Sequence, residues 1–279
     1  MTTVRSVGII GIGLIGGSLA RDLAARAIRV LAHDSDPATL RAALDAGVIH
    51  APLDPAHVDT ADLDAVVIAT PVTAALELFA SSADSLARVP LITDVCSTKR
   101  TIGETAHRLG LDRFIGAHPL AGDYRSGWPA ARANLFRSAT VYLCPTAATP
   151  AEPLAVLRAL WESVGAVPEI IDAGDHDRLL AWTSHLPQAA ATALARAIAG
   201  AGIDLDRLGP GGRDMTRLAH SSADVWTPIA LDNAVPLSRA LAQLESELGI
   251  LRDALDRGDG DAVHRYFELK RTGCGERSG

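Results

Sequence analysis

The strongest constraint on the fold is a cluster of glycines that directly follows a short apolar segment near the N-terminus. Val4–Ile10 has the pattern of a buried strand, and Leu14–Ala27 has the pattern of a helix. Between them, Gly11 and Gly13 begin a G-x-G-x-x-G spacing that ends at Gly16. A strand, a tight turn and a helix in this order predict the first unit of a sheet whose strands are joined by helical crossovers.

The same alternation continues over the first 170 residues. Further strands are predicted at Arg29–His33, Asp64–Ala69, Leu91–Val95, Phe114–Ala117 and Thr140–Leu143. Helical patterns separate them near residues 73–88, 98–109 and 151–164, and Asp36 is a suitable N-cap for one more helix. This spacing predicts an α/β fold with a doubly wound, Rossmann-type parallel sheet.

The pattern changes after Ile171. From Asp175 onward the chain shows only helical patterns, which are broken at glycine-rich positions. One predicted helix carries a stripe of leucines at intervals of three and four: Leu237, Leu241, Leu244, Leu248, Leu251 and Leu255. We therefore predict an α/β domain at residues 1–172 and an all-helical domain at residues 173–279, whose leucine stripe suits packing against a second subunit.

Composition and charge exclude several classes of partner. The 279 residues carry a formal net charge of −7 and no basic cluster, so nucleic acid is not an expected partner. The three cysteines are widely spaced and lack a C-x-x-C pair, which predicts neither disulfides nor a metal site and favours a reducing compartment. No uncharged apolar stretch reaches the length of a membrane span, and the N-terminal glycines do not suit a secretory signal. We expect a cytoplasmic protein that contacts no membrane.

An acidic residue after the second strand makes the glycine cluster more specific. Gly11 would form the tight turn, Gly13 would let a pyrophosphate approach the backbone, and Gly16 would pack the helix on the strand. Asp34 lies 18 residues after Gly16, close to the spacing of about 20 at which an acid binds the adenosine ribose. Its carboxylate would repel a 2′-phosphate, which favours NAD over NADP; the alternative is a glycine-rich turn of purely structural role. The expected cofactor-binding residues are Gly11, Gly13, Leu14, Ile15, Gly16, Asp34, Thr70 and Pro71.

Other polar side chains follow predicted strand ends, where open α/β sheets bind ligands. Thr70 and Pro71 follow one strand, and Ser97 follows the next. Ser97 either N-caps the following helix or turns its hydroxyl toward a ligand. His118 follows another strand in a loop rich in proline and glycine. A lone histidine is more often structural, but at this edge it is placed to act as a base near neutral pH.

The helical half contains two further candidates. His185 lies two residues before Pro187, which is expected to kink the helix. The kink either reflects topology alone or aims His185 at a cleft. Arg213 and Arg217 lie four residues apart after a glycine-rich loop. They form either a solvated helix face or a binding site for a carboxylate. Trp226 follows on the next predicted helix.

Together these segments resemble the prephenate and arogenate dehydrogenases of tyrosine biosynthesis. The matching segments occur in the family's order over nearly the whole chain: VGIIGIGLIGGSLARDL at 7–23, ATP at 69–71, DVCSTK at 94–99, GAHPLAG at 116–122, SHLP at 184–187, GGRDMTR at 211–217 and VW at 225–226. The resemblance implies a Rossmann domain, a helical domain that forms a homodimer, and the NAD(P)-dependent oxidative decarboxylation of a small dicarboxylate.

The resemblance also implies roles for single residues. His118 would take the proton of the substrate hydroxyl, Ser97 would hydrogen-bond to the same region, and Arg217 would bind a carboxylate. His185 and Trp226 would line the pocket, with Trp226 reaching the site of the partner subunit. Hydride loss leaves a ketone, and the ring carboxylate then departs as carbon dioxide because the ring becomes aromatic. This chemistry requires no metal.

Two positions depart from the family pattern. Many prephenate enzymes have a glutamate shortly after HP-x-AG, where this chain reads Asp123-Tyr124-Arg125, and the second histidine of an SHLPH motif is Gln188. Both leave the choice between prephenate and arogenate open. Two other functions are alternatives: a 3-hydroxyacid or imine reductase, which would need a lysine that the start of the helical half lacks, and a non-catalytic NAD-sensing module. From its length we expect a monofunctional enzyme.

Overall fold

An eight-stranded sheet forms the centre of the N-terminal half. The computed structural model describes residues 4–122 and 125–268. The strands are β1 (Ser6–Ile10), β2 (Arg29–His33), β3 (Ala51–Pro52), β4 (Ala65–Ile68), β5 (Ile92–Asp94), β6 (Phe114–Pro119), β7 (Thr140–Cys144) and β8 (Val167–Ile170). Their order is β3-β2-β1-β4-β5-β6-β7-β8. The order reverses between β1 and β4, and such a switch point opens a ligand crevice.

Helices cover both faces of this sheet. They are α1 (Leu14–Ala24), α2 (Pro37–Asp45), α3 (Val72–Leu86), α4 (Arg100–Arg108) and α5 (Ala151–Ser163). Successive residues of a strand point to opposite faces, so Ile9 packs in the core beneath α1 and α5 with Trp161, whereas Ile10 packs with Phe79 beneath α3 and α4. The predicted doubly wound sheet is therefore confirmed.

The sheet is mostly rather than wholly parallel. β6 and β7 pair antiparallel, and β7 and β8 run parallel to each other. Among its described residues, the connection from β6 to β7 holds only a short 3-10 turn at Trp128–Ala130. It packs on α1, where the Arg132 N–H donates to Ser18 Oγ and the Asn134 N–H donates to Asp22 Oδ1. Without a crossover helix, the chain returns beside β6 in the opposite direction.

After β8, the regular elements of the described chain are all helices. Its helices are α6 (Ala173–Leu180), α7 (Leu186–Gly200), α8 (Pro210–Thr216), α9 (Ala223–Asp232), α10 (Ala234–Asp256) and α11 (Gly260–Phe267). A π-helical turn at Ala181–His185 joins α6 to α7. It ends two residues before Pro187, whose missing N–H interrupts the α-helical hydrogen bonding.

The leucine stripe of α10 is only partly covered. Leu237 is buried, whereas Leu248 and Leu255 are exposed.

None of the described helices has the length and apolar character needed to cross a membrane. The division of the chain into domains at residues 172 and 173 stays a prediction.

Candidate active site

The strand ends bring several predicted site residues to one edge of the sheet. Ile10 pairs with His33 and with Ile68, and Ile68 pairs with Asp94, so the loops after β1, β2, β4 and β5 begin at the same level. β6 runs parallel to β5, which puts its C-terminal end at this edge as well. The predicted residues that this edge carries are Gly11, Asp34, Thr70, Pro71, Ser97 and His118.

The three glycines of the turn have different structural reasons. Gly11 has a φ of +91°, and a Cβ there would lie 2.6 Å from the Ala69 carbonyl oxygen. A Cβ on Gly16 would lie 1.9 Å from the Gly11 carbonyl oxygen. Among the described residues, the atom nearest to a Cβ on Gly13 would be Gly127 Cα, at 3.9 Å. Gly11 and Gly16 are therefore needed for folding, whereas Gly13 leaves the open space that a pyrophosphate would need.

A cavity of about 580 Å³ opens in front of this turn. Five of the predicted cofactor-binding residues line it: Gly11, Gly13, Asp34, Thr70 and Pro71. The other three, Leu14, Ile15 and Gly16, form the first turn of α1 and are not part of that lining.

The polar groups of this cavity suit a dinucleotide. The Asp34 carboxylate accepts the Ile12 N–H at 2.8 Å and the Asp36 N–H at 3.0 Å, which fixes its orientation. The Thr70 hydroxyl is buried and has no hydrogen-bond partner among the described residues. A fixed carboxylate, an unpartnered hydroxyl and a turn without a side chain at Gly13 together fit ribose and phosphate groups.

His118 is the first member of a hydrogen-bonded chain of three side chains. Its Nδ1 lies 2.9 Å from His176 Nε2, and His176 Nδ1 lies 2.8 Å from Asp177 Oδ1. A carboxylate only accepts, so His176 carries its proton on Nδ1 and presents Nε2 as an acceptor. His118 must then donate from Nδ1. Its Nε2 then carries a lone pair that accepts from no other described residue, which is the arrangement of a general base.

The surroundings of His118 keep it neutral. Burial lowers the pKa of His118 well below its usual range, and the neighbouring His176, Lys99 and His185 lower it further. Burial also lowers the pKa of His176, against the opposing effect of the Asp177 carboxylate. His118 is therefore deprotonated and able to accept a proton at neutral pH.

Asp177 also connects the helical half to the sheet. Its Oδ1 accepts the Lys99 N–H at 2.8 Å, and its Oδ2 accepts the Arg100 N–H at 2.9 Å. The N-terminus of α4 is thus capped by a carboxylate from α6 rather than by a neighbouring side chain. Ser97 is not that cap. Its half-buried hydroxyl has no hydrogen bond to another described residue, which leaves it free for a ligand.

A fully buried ion pair lies beneath the base. The Lys99 ammonium donates to Asp94 Oδ2, and both side chains are completely buried. Asp94 Oδ2 also accepts the Cys96 N–H at 2.9 Å, while Oδ1 accepts the Ala117 N–H at 3.1 Å. These contacts compensate the buried charges and fix the backbone immediately before His118.

His185 lies at the other end of the same network. Asn233 Nδ2 lies 2.8 Å from the Asp177 carbonyl oxygen and 2.9 Å from His185 Nδ1. The His185 ring stacks edge-on against Trp226, with ring centroids 6.0 Å apart. Both residues line a cavity of about 690 Å³ between α7, α9 and α10.

Neither of the two predicted arginines has a hydrogen bond or ion pair with His118. Both are exposed; Arg213 Nη2 donates to the Asp206 carbonyl oxygen, and Arg217 has no hydrogen bond or ion pair with another described residue. Gln188, which replaces the second histidine of SHLPH, holds the turn that carries Arg217, since its Nε2 donates to the Leu218 carbonyl oxygen at 2.8 Å. Asp123 and Tyr124, at the other departure from the family pattern, lie outside the described residues, as does Cys274.

Sequence reasoning missed the partners of the two histidines. His176 and Asp177 were not among the predicted site residues, although they form an adjacent His-Asp pair just after a helix N-cap, Asp172. Asn233 carried no signal of its own, because its role depends on two groups that lie 48 and 56 residues away in the sequence.

Two family models together match most of the chain. Residues 19–170 match the nucleotide-binding domain of prephenate dehydrogenase, and residues 172–269 match its dimerization domain. The chain belongs to the prephenate dehydrogenase family. It is thus an oxidoreductase, and the resemblance drawn from the sequence motifs is confirmed.

Curated relatives of this family align over nearly all of the chain. The cyclohexadienyl dehydrogenase of Zymomonas mobilis is 32% identical over 96% of this chain and 94% of its own length. The prephenate dehydrogenase of Bacillus subtilis is 30% identical over 94% of this chain and 73% of its own length.

Solved structures of the prephenate dehydrogenase family share this fold. A prephenate dehydrogenase from Aquifex aeolicus, in complex with hydroxyphenyl propionate and NAD⁺, has a TM-score of 0.85 and 29% identity over 95% of both chains. The arogenate dehydrogenase of Synechocystis has a TM-score of 0.77 and 29% identity, covering 93% of this chain and 95% of its own.

Proposed function

We propose that this member of the prephenate dehydrogenase family converts prephenate to 4-hydroxyphenylpyruvate and carbon dioxide with NAD as oxidant. The observation that carries the proposal is the hydrogen-bonded chain His118–His176–Asp177. It places a neutral base at the sheet edge that also holds the dinucleotide-sized cavity. NAD bound in that cavity supplies the acceptor for the hydride that leaves the ring carbon bearing the hydroxyl.

In the proposed reaction, His118 Nε2 takes the proton of the substrate hydroxyl. The resulting imidazolium donates from Nδ1 to His176, whose own Nδ1 proton is held by the Asp177 carboxylate. The positive charge on His118 therefore develops two hydrogen bonds away from the Asp177 carboxylate. We assign the Ser97 hydroxyl to the same substrate oxygen, since it has no hydrogen bond to another described residue.

The substrate carboxylates require cationic partners. The Arg217 guanidinium has no hydrogen bond or ion pair with another described residue, and Arg213 lies four residues before it. A guanidinium binds a carboxylate through two parallel hydrogen bonds. We assign Arg217 to this role, with Arg213 supporting it, and His185 and Trp226 to the wall of the substrate pocket.

Arogenate is the second candidate substrate. Gln188 supports it, since a neutral amide stands where many prephenate enzymes have a histidine, and so does the likeness to the Synechocystis arogenate dehydrogenase. Arogenate carries an amino acid side chain where prephenate carries a keto acid, so the two substrates differ by one positive charge.

Steady-state kinetics with each substrate test the proposal. The enzyme is incubated with NAD or NADP and with prephenate or arogenate, and NADH or NADPH is followed at 340 nm. We expect NADH with prephenate at a higher kcat/KM than with arogenate, and a preference for NAD because the Asp34 carboxylate would repel the 2′-phosphate of NADP. The reverse order would assign the enzyme to arogenate. Cofactor binding without turnover of either substrate would identify a non-catalytic NAD-binding module.

Two substitutions separate the roles of base and anion site. We expect His118→Asn to lower kcat about 10²–10⁴-fold with little change in KM, which is the usual contribution of a general base. We expect Arg217→Ala mainly to raise KM, because it removes a charge-assisted hydrogen bond. A kcat for His118→Asn within twofold of wild type, or an unchanged KM for Arg217→Ala, would contradict these assignments.

We also propose a homodimer that forms through the helical half. Support comes from the match to a dimerization domain and from Leu248, Ile250 and Leu255 of α10, which are more than half exposed. Sedimentation equilibrium should give twice the chain mass of 29.1 kDa.

We place the enzyme in the cytoplasm, since Cys96 and Cys144 are both free thiols. Cell fractionation tests this localisation.

A further inference from the structure

Asn233 fixes the proton position on His185. Its side-chain nitrogen lies within 2.9 Å of both the Asp177 carbonyl oxygen and His185 Nδ1. A backbone carbonyl only accepts, so the amide nitrogen rather than the amide oxygen must face it. The second hydrogen of that nitrogen then points at His185 Nδ1, which must accept and so carries no proton. A neutral imidazole has one N–H, which is therefore on Nε2.

The Nε2–H of His185 is a buried donor without an acceptor. The residue is 2% exposed, and Nε2 has no hydrogen-bond partner among the described residues. His185 lines the 690 Å³ cavity together with Trp226, Gln188 and Ser221. A buried donor left unpaired is unfavourable, and native proteins satisfy nearly all such groups. An acceptor oxygen from a bound molecule would complete this site.

We propose that Asn233 is a positioning residue that holds His185 as a neutral Nε2–H donor, and that His185 donates this hydrogen bond to an oxygen of the substrate. The identity of the substrate rests on the proposed function above. In this arrangement the two histidines have opposite tasks. His118 offers a lone pair and accepts a proton, whereas His185 keeps its proton and only donates.

The charged and titratable groups around His185 keep this donor constant. Asp177 and His176 face it from α6, and His118 faces it from β6. Burial lowers the pKa of His185 to about 4, with His176 acting in the same direction and Asp177 against it. Between pH 6 and pH 9 the ring therefore stays neutral, and the contact with Asn233, which the Asp177 carbonyl orients, decides which nitrogen carries the proton.

Nitrogen NMR of the free enzyme tests the tautomer without any turnover. The protein is labelled with ¹⁵N-histidine, and the His185 signal is identified by its loss in His185→Gln. We expect the Nε2–H pattern at pH 7. A signal of the Nδ1–H tautomer or of the imidazolium would overturn the proposal.

Asn233→Asp tests the role of the amide. The carboxylate would accept from His185 Nδ1, so the neutral ring would carry its proton there and the pKa of His185 would rise. Below that new pKa the imidazolium still donates from Nε2, whereas above it Nε2 becomes an acceptor that faces the substrate oxygen. We expect the ratio of the variant's KM to that of wild type to rise at least tenfold from pH 6 to pH 9. A constant ratio would contradict the proposal.

A second pair of variants covers the case in which Asn233→Asp does not fold. The side chain of Gln ends in an N–H donor near the position of His185 Nε2, whereas Leu fills similar space without one. We expect KM within about threefold of wild type for His185→Gln and about 10–100-fold higher for His185→Leu, the range for a hydrogen bond to a charged group. Equal KM values would overturn the proposal. Absence of turnover by wild type with prephenate and arogenate would reject the proposed function and leave the NMR result standing.

Discussion

At the scale of single residues, Asp177 accepts hydrogen bonds from both the sheet half and the helical half. Its carboxylate accepts from His176 Nδ1 and from the backbone N–H groups of Lys99 and Arg100, and its carbonyl oxygen accepts from Asn233. One residue therefore sets the tautomers of both active-site histidines and caps α4. The carboxylate stays ionised because these hydrogen bonds outweigh the effect of burial and lower the pKa of Asp177.

Asp177→Asn should separate these tasks from packing, because the two side chains have nearly the same shape. An amide group can accept with only one of its two ends, so the proton order along His176 and His118 is lost. We expect kcat to fall about 10²–10⁴-fold and the free energy of unfolding to fall by about 1–3 kcal/mol.

The matched control is Asp175→Asn, on the same helix. Asp175 is exposed and pairs only with Arg178 there, and such a surface pair contributes little. Steady-state kinetics and urea denaturation of both variants give the comparison. If the two variants had the same kcat, Asp177 would have no part in orienting the base.

At the scale of elements, the turn between β1 and α1 combines folding and binding functions. Gly16 allows α1 to approach the strand, since its Cα faces the Gly11 carbonyl oxygen. Gly13 has a φ of −69°, which suits any residue, and no described atom lies closer than 3.9 Å to a Cβ placed there. Only the first of these two glycines is therefore required by the fold.

Two alanine substitutions in this turn should affect different properties, one the stability of the fold and the other the affinity for NAD. Gly16→Ala places a Cβ against backbone, so we expect a markedly lower melting temperature. We expect Gly13→Ala to melt within a few degrees of wild type but to bind NAD at least about tenfold more weakly, because its methyl group enters the space for the pyrophosphate. Thermal unfolding and titration calorimetry measure the two effects. Unchanged NAD affinity in Gly13→Ala would move the cofactor away from this turn.

At the scale of the whole molecule, the candidate site exists only where the two halves meet. The sheet half supplies His118 and Lys99, and the helical half supplies His176, Asp177 and His185. Contacts between α4 and α6 hold the halves together at this point. Any loosening of these contacts would therefore separate the base from the residues that orient it.

Stability of the whole chain should depend on pH through three histidines, of which His176 and His185 are buried and His118 is half-buried. Burial lowers the pKa of His118, His176 and His185 in the folded protein, whereas in the unfolded chain each has a pKa of about 6.5. Below pH 6.5 the unfolded state binds more protons, so stability falls as the pH falls toward 4. A histidine contributes up to about 1.4 kcal/mol per pH unit, and only between its folded-state pKa and its unfolded-state pKa.

Urea denaturation at pH 7.5 and at pH 5 measures this loss. His185→Gln removes one of the three groups, so we expect a smaller difference between the two pH values in that variant. A free energy of unfolding that is the same at both pH values in wild type would show that these histidines are protonated in the folded state.

Much of the fold could be predicted because its signals are local. The runs at residues 29–33, 64–69 and 114–117 are short and apolar, and each forms a strand of the sheet. β3 and β8 were missed because β3 has two residues and β8 carries Pro168 and Glu169 in a strand with exposed positions. The reversed direction of β7 has no local signal, since it depends on how the connecting loop packs on α1.

The sequence by itself determined the order of strands and helices, the glycine turn, and the positions of Asp34, Ser97 and His118 at strand ends. Periodicity and turn chemistry act between neighbouring residues, and any parallel sheet brings such ends to one edge. Only the tertiary structure decided that Asp177 rather than Ser97 caps α4, and which nitrogen of each histidine carries its proton. These outcomes depend on hydrogen bonds between residues 48 to 78 positions apart, and no local pattern records which of them will meet.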